Sequence, residues 1–162
     1  LAEVATTGQW VTVEQVRRWC GTSGRIIVRP VIDLTATRSV PGYLPTDAIR
    51  EHIALRDRTC VFPHCTRPAR PVKRSRRAGR PDFSHDADHI TPYAAGGDTS
   101  TDNLACLCRA HHRLKTHTGW TYWQICPGEY LWRSPGGNLF LRTAAGTIEL
   151  PVTDRQRGSP AA

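Results

Sequence analysis

Residues 107–117 read LCRAHHRLKTH, which puts Cys108, His111, His112 and His117 in one short helical stretch. Thiolates and imidazoles are the donors zinc prefers, four at a time in a tetrahedron. A second pair, Cys60 and Cys65, lies upstream in the C-x4-C knuckle CVFPHC, whose turn Pro63 shapes. Cys108 and His111 form a C-x2-H pair on one turn. Together Cys60, Cys65, Cys108 and His111 are expected to hold a structural zinc that staples distant parts of a small domain. Cys106 could stand in for Cys108 and His64 for Cys65; the C-x2-H spacing favours Cys108. Adjacent helical residues point about 100° apart, so one ordinary metal centre does not readily use both His111 and His112. His112 is therefore expected to serve a second centre.

The material for a second centre is present. Asp88 and His89 are adjacent in DADHI, and Asn103 precedes the Cys108–His112 cluster. Carboxylate oxygen suits hard divalent ions, and imidazole suits manganese, nickel or zinc. Histidine is also the usual general base near neutral pH. A carboxylate, two histidines and an amide converging on one point suggest metal-assisted hydrolysis. In a regular strand Asp88 and His89 point to opposite faces. Both can serve one phosphate only if the strand ends or twists there, which Pro92 and the following turn allow.

The positioning elements can be read from pattern. TVEQVRRWC reads as a short helix with Val13, Val16 and Trp19 on one face, and RIIVRPVIDL as an extended segment. TDAIREHIALRDRTC reads as a helix capped by Thr46 or Asp47, with Ile49, Ile53 and Arg56 at helical spacing. A short strand at 87–91 stops at Pro92, and RAHHRLKTH is helical up to Gly119. WTYWQI, EYLWR and NLFLRT are short aromatic strands of a meander that backs the site. The tail from Asp154 reads as disordered.

Net charge is +8, with 22 basic against 14 acidic residues, and 20 of the basic residues are arginine. That balance suits a polyanion. Residues 67–80 carry Arg67, Arg70, Lys73, Arg74, Arg76, Arg77 and Arg80 without an acidic residue between them. No apolar run of about 18 residues is present, so no membrane-spanning helix is expected. With no export signal, the cysteines at 20, 60, 65, 106, 108 and 126 read as metal ligands rather than disulfides, in a cytoplasmic protein. The chain begins at Leu1 and lacks methionine, as a piece of a longer protein would.

DHITPYAAGG, TSTDNLACLC and HHRLKT resemble the HNH endonuclease family, with its Asp-His, central Asn, and Cys-x-x-(Cys or His)-His-x-x-Lys pattern. RDRTCVFPHCTRPAR and HHRLKTHTGW look like actinobacterial proteins with an HNH domain behind a long N-terminal domain of unknown function. The resemblance covers residues 46–143. Residues 1–45 then end an N-terminal region, and 144–162 form a partly disordered tail. The implied fold is α+β: a small zinc-stapled ββα-metal finger with a C-terminal β-meander and an N-terminal helix and strand extension.

The resemblance implies roles. His89 is the general base, Asp88 and His112 hold one catalytic divalent metal (Mg²⁺, Mn²⁺, Ni²⁺ or Zn²⁺), and Asn103 fixes the loop that orients the His89 backbone. The substrate is DNA, cut to 5′-phosphate and 3′-hydroxyl ends. Arg74, Arg76, Arg77, Arg109, Arg113 and Lys115 are expected on backbone phosphates. Histidine at 111, where the family usually has cysteine, and the long basic segment between Cys65 and Asp88 depart from the common pattern. His117 could be a third metal ligand or a phosphate contact but reads first as a surface residue, as do His52 and His64; His85 and Asp86 could mimic a second metal pair but read first as a polar strand entrance. The rival reading is a zinc-stabilised DNA-binding module without catalysis.

Overall fold

In the computed structural model the described residues are 2–4, 9–27, 33–34, 36–70 and 85–151. They fall in two units, Leu1–Ile32 and Asp33–Ala162. In the first, β1 (Ala2–Val4) pairs antiparallel with β2 (Gln9–Val11), and α1 (Val13–Thr22) follows. Thr12 caps α1, its hydroxyl accepting the Gln15 N–H. Half of the extended stretch expected after α1, residues 28–32, lies outside the described residues, and Arg25–Ile27 form no strand.

The second unit begins with β3 (Ser39–Val40) and α2 (Asp47–Asp57). Thr46 rather than Asp47 is the cap of α2, accepting from the Ile49 N–H at 3.3 Å. After the 14 undescribed residues 71–84 come β4 (Asp86–His89), a 3₁₀ turn (Tyr93–Ala95), β5 (Thr99–Ser100), β6 (Leu104–Leu107) and α3 (Arg109–His117). β4 and β6 form an antiparallel hairpin in which Asp88 faces Ala105 and His89 faces Leu104. α3 leaves β6 with only Cys108 between them. The chain ends in a four-stranded antiparallel meander of β7 (Thr121–Cys126), β8 (Glu129–Arg133), β9 (Leu139–Thr143) and β10 (Gly146–Leu150). Helices and antiparallel sheets are thus mixed, as the α+β expectation has it. No helix among the described residues is long and apolar enough to cross a membrane.

Two expected boundaries move. Residues 33–45 belong with the second unit: β3 pairs with β5, the Thr101 N–H donates to the Arg38 carbonyl at 2.9 Å, and the Arg38 N–H donates to the Thr101 hydroxyl at 3.0 Å. The expected tail at 144 starts too early: residues 146–150 pair with β9 in full register. Gly146, at φ 139°, turns the chain into that strand in a conformation that side chains disfavour.

β6 is the middle of the core. All four of its residues are buried, because it is covered on both faces. Leu104 and Cys106 face Ile49, Ile53 and Ala54 of α2. Ala105 and Leu107 face Val61, Tyr122, Tyr130 and Trp132. Each large apolar side chain so buried is worth roughly 1.5–3 kcal/mol. Because Ala105 and Leu107 share one cluster with three meander aromatics, the meander does back the hairpin, and Trp132 and Tyr122 stack within it with ring centroids 4.1 Å apart.

A buried polar network ties the layers. Arg56 and Asp57 pair at 2.7 Å with side chains almost wholly inaccessible. Arg56 also donates to the Leu104 carbonyl and contacts the Tyr130 hydroxyl, both at 2.7 Å, while Asp57 accepts from the Cys106 N–H at 2.9 Å and from the Tyr130 hydroxyl at 2.7 Å. Arg56, expected only as a helical position, is thereby the polar anchor between α2, β6 and β8.

Candidate metal centres and active site

Cys60, Cys65, Cys108 and His111 converge, with one donor atom from each lying within 4.8 Å of all the others. The knuckle is shaped by backbone: Cys65 N–H donates to the Phe62 carbonyl, and His64 takes a positive φ of 58°. Cys108 is the N-cap residue of α3, and His111 sits on its first turn. His111 Nδ1 lies 3.3 Å from Cys108 Sγ and 3.5 Å from Cys60 Sγ. Phe62 stacks on the imidazole with ring centroids 4.1 Å apart. Three thiols and an imidazole with this spacing could hold a zinc ion. Burial lowers the His111 pKa, which favours the neutral imidazole a metal ligand needs, and pushes the Cys60 thiol up, so holding an ion there would require that thiol to release its proton. Both alternative ligands stand elsewhere. Cys106 points toward α2 on the opposite face of β6, and His64 is exposed.

His112, one residue on, turns to β4. Its Nε2 is 3.2 Å from Asp88 Oδ1, and its Nδ1 is 2.8 Å from Asp86 Oδ2. Asp86 and Asp88 alternate along β4 and share the face covered by α3. Asp86 is therefore more than the polar strand entrance expected from sequence: it holds the far nitrogen of His112. The two carboxylates, Asp88 first, raise the His112 pKa against the effect of burial. Burial would raise Asp86, but the hydrogen bonds from His112 and Arg109 outweigh it and hold that carboxyl low. Asp88 is buried and also accepts from the Tyr122 hydroxyl at 2.7 Å. A donor pair about 3 Å apart, one carboxylate oxygen and one imidazole nitrogen, fits a divalent ion with bonds of about 2.1 Å to each.

Lys115 corrects an expectation. Instead of reaching toward a phosphate, its ammonium is turned inward, 3.1 Å from Asp88 Oδ2 and 2.7 Å from the His89 carbonyl oxygen, over the Tyr122 ring. Arg109 reaches Asp86 at 3.0 Å but remains largely exposed, and Arg113 is exposed. Arg74, Arg76 and Arg77 lie outside the described residues.

His89 is the last residue of β4, so its side chain leaves the Asp88 face where the strand ends. Its Nε2 is 3.0 Å from Thr99 Oγ1, Tyr43 stacks on it at 5.3 Å, and Tyr93 meets it edge-on at 5.8 Å. Burial, then the nearby Lys115 ammonium, lowers the His89 pKa, which favours a neutral ring able to accept a proton.

Asn103 brackets the loop beyond β4. Its Oδ1 accepts from Thr91 N–H at 2.9 Å, and its Nδ2 donates to the Thr91 and Asp98 carbonyls at 3.0 and 2.8 Å. Ile90 N–H, next to His89, donates to the Asn103 carbonyl at 2.8 Å. Gly97 fits under this bracket because a Cβ there would lie 2.0 Å from Thr91 O.

Among the remaining histidines, His117 and His64 are exposed as expected. His52 is buried on α2 rather than at the surface, and His85 is buried with Nδ1 2.6 Å from Ala69 O. Sequence reasoning missed Asp86, Tyr122, Thr99 and Tyr43. Only Asp86 had a signal, its two-residue spacing from Asp88.

The HNH endonuclease family model matches residues 64–118, which include Cys65, Asp88, His89, Asn103, Cys108, His111, His112 and Lys115. The match covers about a third of the chain and is to a family described as HNH endonucleases. The chain is similar to the uncharacterized protein Rv3776 of Mycobacterium tuberculosis, 38% identical over 115 residues, which cover 70% of this chain and 20% of that protein. It is also similar to the uncharacterized proteins Rv2100 and MT2160 from two strains of the same species. Each is 35% identical over 154 residues, which cover 93% of this chain and 25% of the relative. This chain therefore spans between a fifth and a quarter of these relatives' length. No solved structure matches it.

Proposed function

We propose that the chain is a metal-dependent endonuclease that hydrolyses DNA phosphodiester bonds. The observation that carries this reading is the 3.2 Å approach of His112 Nε2 to Asp88 Oδ1 at the end of the strand that presents His89. On this reading the hairpin of β4 and β6 with α3 is a ββα-metal finger, and the zinc cluster holds its base together. The HNH domain then extends from the β3 segment through β10.

His89 takes a proton from water as the water oxygen attacks phosphorus; the P–O3′ bond breaks, and the 3′ oxygen gains a proton from solvent. Asn103 and Lys115 hold the backbone on either side of the base, at Thr91 and at the His89 carbonyl. Asp88 and His112 would hold the divalent ion, which supplies charge neutralisation at the phosphate and the leaving oxygen. Asp86 orients His112, as carboxylates commonly do for metal-bound histidines. Arg109 and Arg113 face outward, able to meet backbone phosphates.

A second reading has one observation in its favour. Both Asp88 oxygens already accept hydrogen bonds from protein groups, as they would in a purely structural polar cluster of a DNA-binding module. A plasmid-nicking assay across Mg²⁺, Mn²⁺, Ni²⁺ and Zn²⁺, with a chelator control, separates the two. Metal-dependent nicking supports the enzyme; DNA binding without nicking under any metal supports the module.

A further inference from the structure

We infer that Thr99 and Tyr43 are positioning residues that fix His89 in the tautomer protonated on Nε2, leaving Nδ1 to take the proton from water; the catalytic half of this statement rests on His89 being the base. The deduction is one of donors and acceptors. The Thr99 hydroxyl carries a single proton and donates it to the Tyr43 carbonyl oxygen at 3.2 Å, an atom that can only accept. Its 3.0 Å contact with His89 must then be made by an N–H on Nε2. A neutral imidazole has only one N–H, so Nδ1 presents its lone pair. Among the described residues Nδ1 makes no hydrogen bond.

The relay is held from several sides. Thr99 is fully buried and set by the pairing of β3 with β5, in which Val40 faces Thr99. The Tyr43 ring lies nearly parallel to the imidazole, tilted by 15°, and Tyr93 closes the edge. Ring rotation about the Cβ–Cγ bond would have to break the Thr99 contact and displace the stack. Tyr43 lies outside the residues matched by the family model, and the segment that carries it walls one side of the His89 ring.

The test is long-range ¹H–¹⁵N correlation NMR on histidine-labelled protein at pH 8, with and without substitution at Thr99. The parent is expected to show His89 as the Nε2–H tautomer. Thr99→Val, nearly isosteric, should shift His89 to a mixture of tautomers and slow nicking at least about tenfold, short of the 10²–10⁴-fold expected for losing a base outright. Thr99→Ser keeps the hydroxyl and should preserve both the spectrum and the rate. An Nδ1–H tautomer in the parent overturns the inference, even if Thr99→Val does not fold, and so does an unchanged tautomer in a folded Thr99→Val. A parent that nicks no DNA would remove the nuclease reading while leaving the tautomer result to stand or fall by the spectrum.

Discussion

His111 and His112 are neighbours in sequence but face different centres: His111 Nδ1 lies 3.3 Å from Cys108 Sγ, and His112 Nε2 lies 3.2 Å from Asp88 Oδ1. The roughly 100° between successive helical side chains produces this split. α3 is thus a shared wall, with a thiol-rich cluster on one side and a carboxylate cluster on the other.

The first cluster predicts a single failure mode. Cys60→Ser or His111→Ala should lose zinc and fold together. Structural zinc in finger peptides is worth about 10–16 kcal/mol, so losing a ligand should be severe rather than graded. Metal analysis alongside circular dichroism checks this. Protein that remains folded without zinc contradicts it.

Gly97→Ala tests the Asn103 bracket. The added methyl group would drive into Thr91 O and Asn103 Nδ2, at 2.0 and 2.7 Å. Overpacking of this kind costs about 1–3 kcal/mol. Denaturation and nicking should both register it, while zinc content stays at the parent level.

Asp57→Asn leaves Arg56 buried beside a neutral partner. Breaking one side of a buried pair typically costs about 3–5 kcal/mol. Urea unfolding should show a loss of that order. A loss below about 1 kcal/mol, the range of exposed pairs, would mean water reaches the network.

The elements that carry hydrophobic period or cap chemistry were legible in sequence. The spacing of Val13, Val16 and Trp19 announces α1, a cap at Thr46 or Asp47 announces α2, and the aromatic runs announce β7 to β9. β10 was not legible, because TIEL is short and half-exposed and its strand character comes from pairing with β9. β3 and β5 have two residues each and exist only through each other. The ligand spacings identified the four residues that could hold zinc, since C-x4-C and C-x2-H are local geometry. Tyr122 could not be read as a partner of Asp88, because the contact joins elements 34 residues apart through the meander's packing. Lys115 was misread for a similar reason: a lysine on a basic helix looks like a phosphate contact until β4 is seen beneath it.

The basic segment makes a prediction at low salt. Replacing Arg74, Arg76 and Arg77 by Ser should weaken DNA binding and flatten its salt dependence, since each true phosphate contact contributes about −0.9 to the log–log slope on B-DNA. Titrations at several salt concentrations measure it. An unchanged slope would mean these arginines do not touch the backbone.

The most direct test of the two-centre account is the nicking rate of His89→Ala and His112→Ala, measured on protein whose zinc content and melting temperature match the parent. Both variants should bind DNA and keep zinc. His89→Ala should lose about 10²–10⁴-fold in rate, as expected for a sole general base, and His112→Ala should lose metal-dependent nicking. Parental nicking rates in both variants would contradict the account.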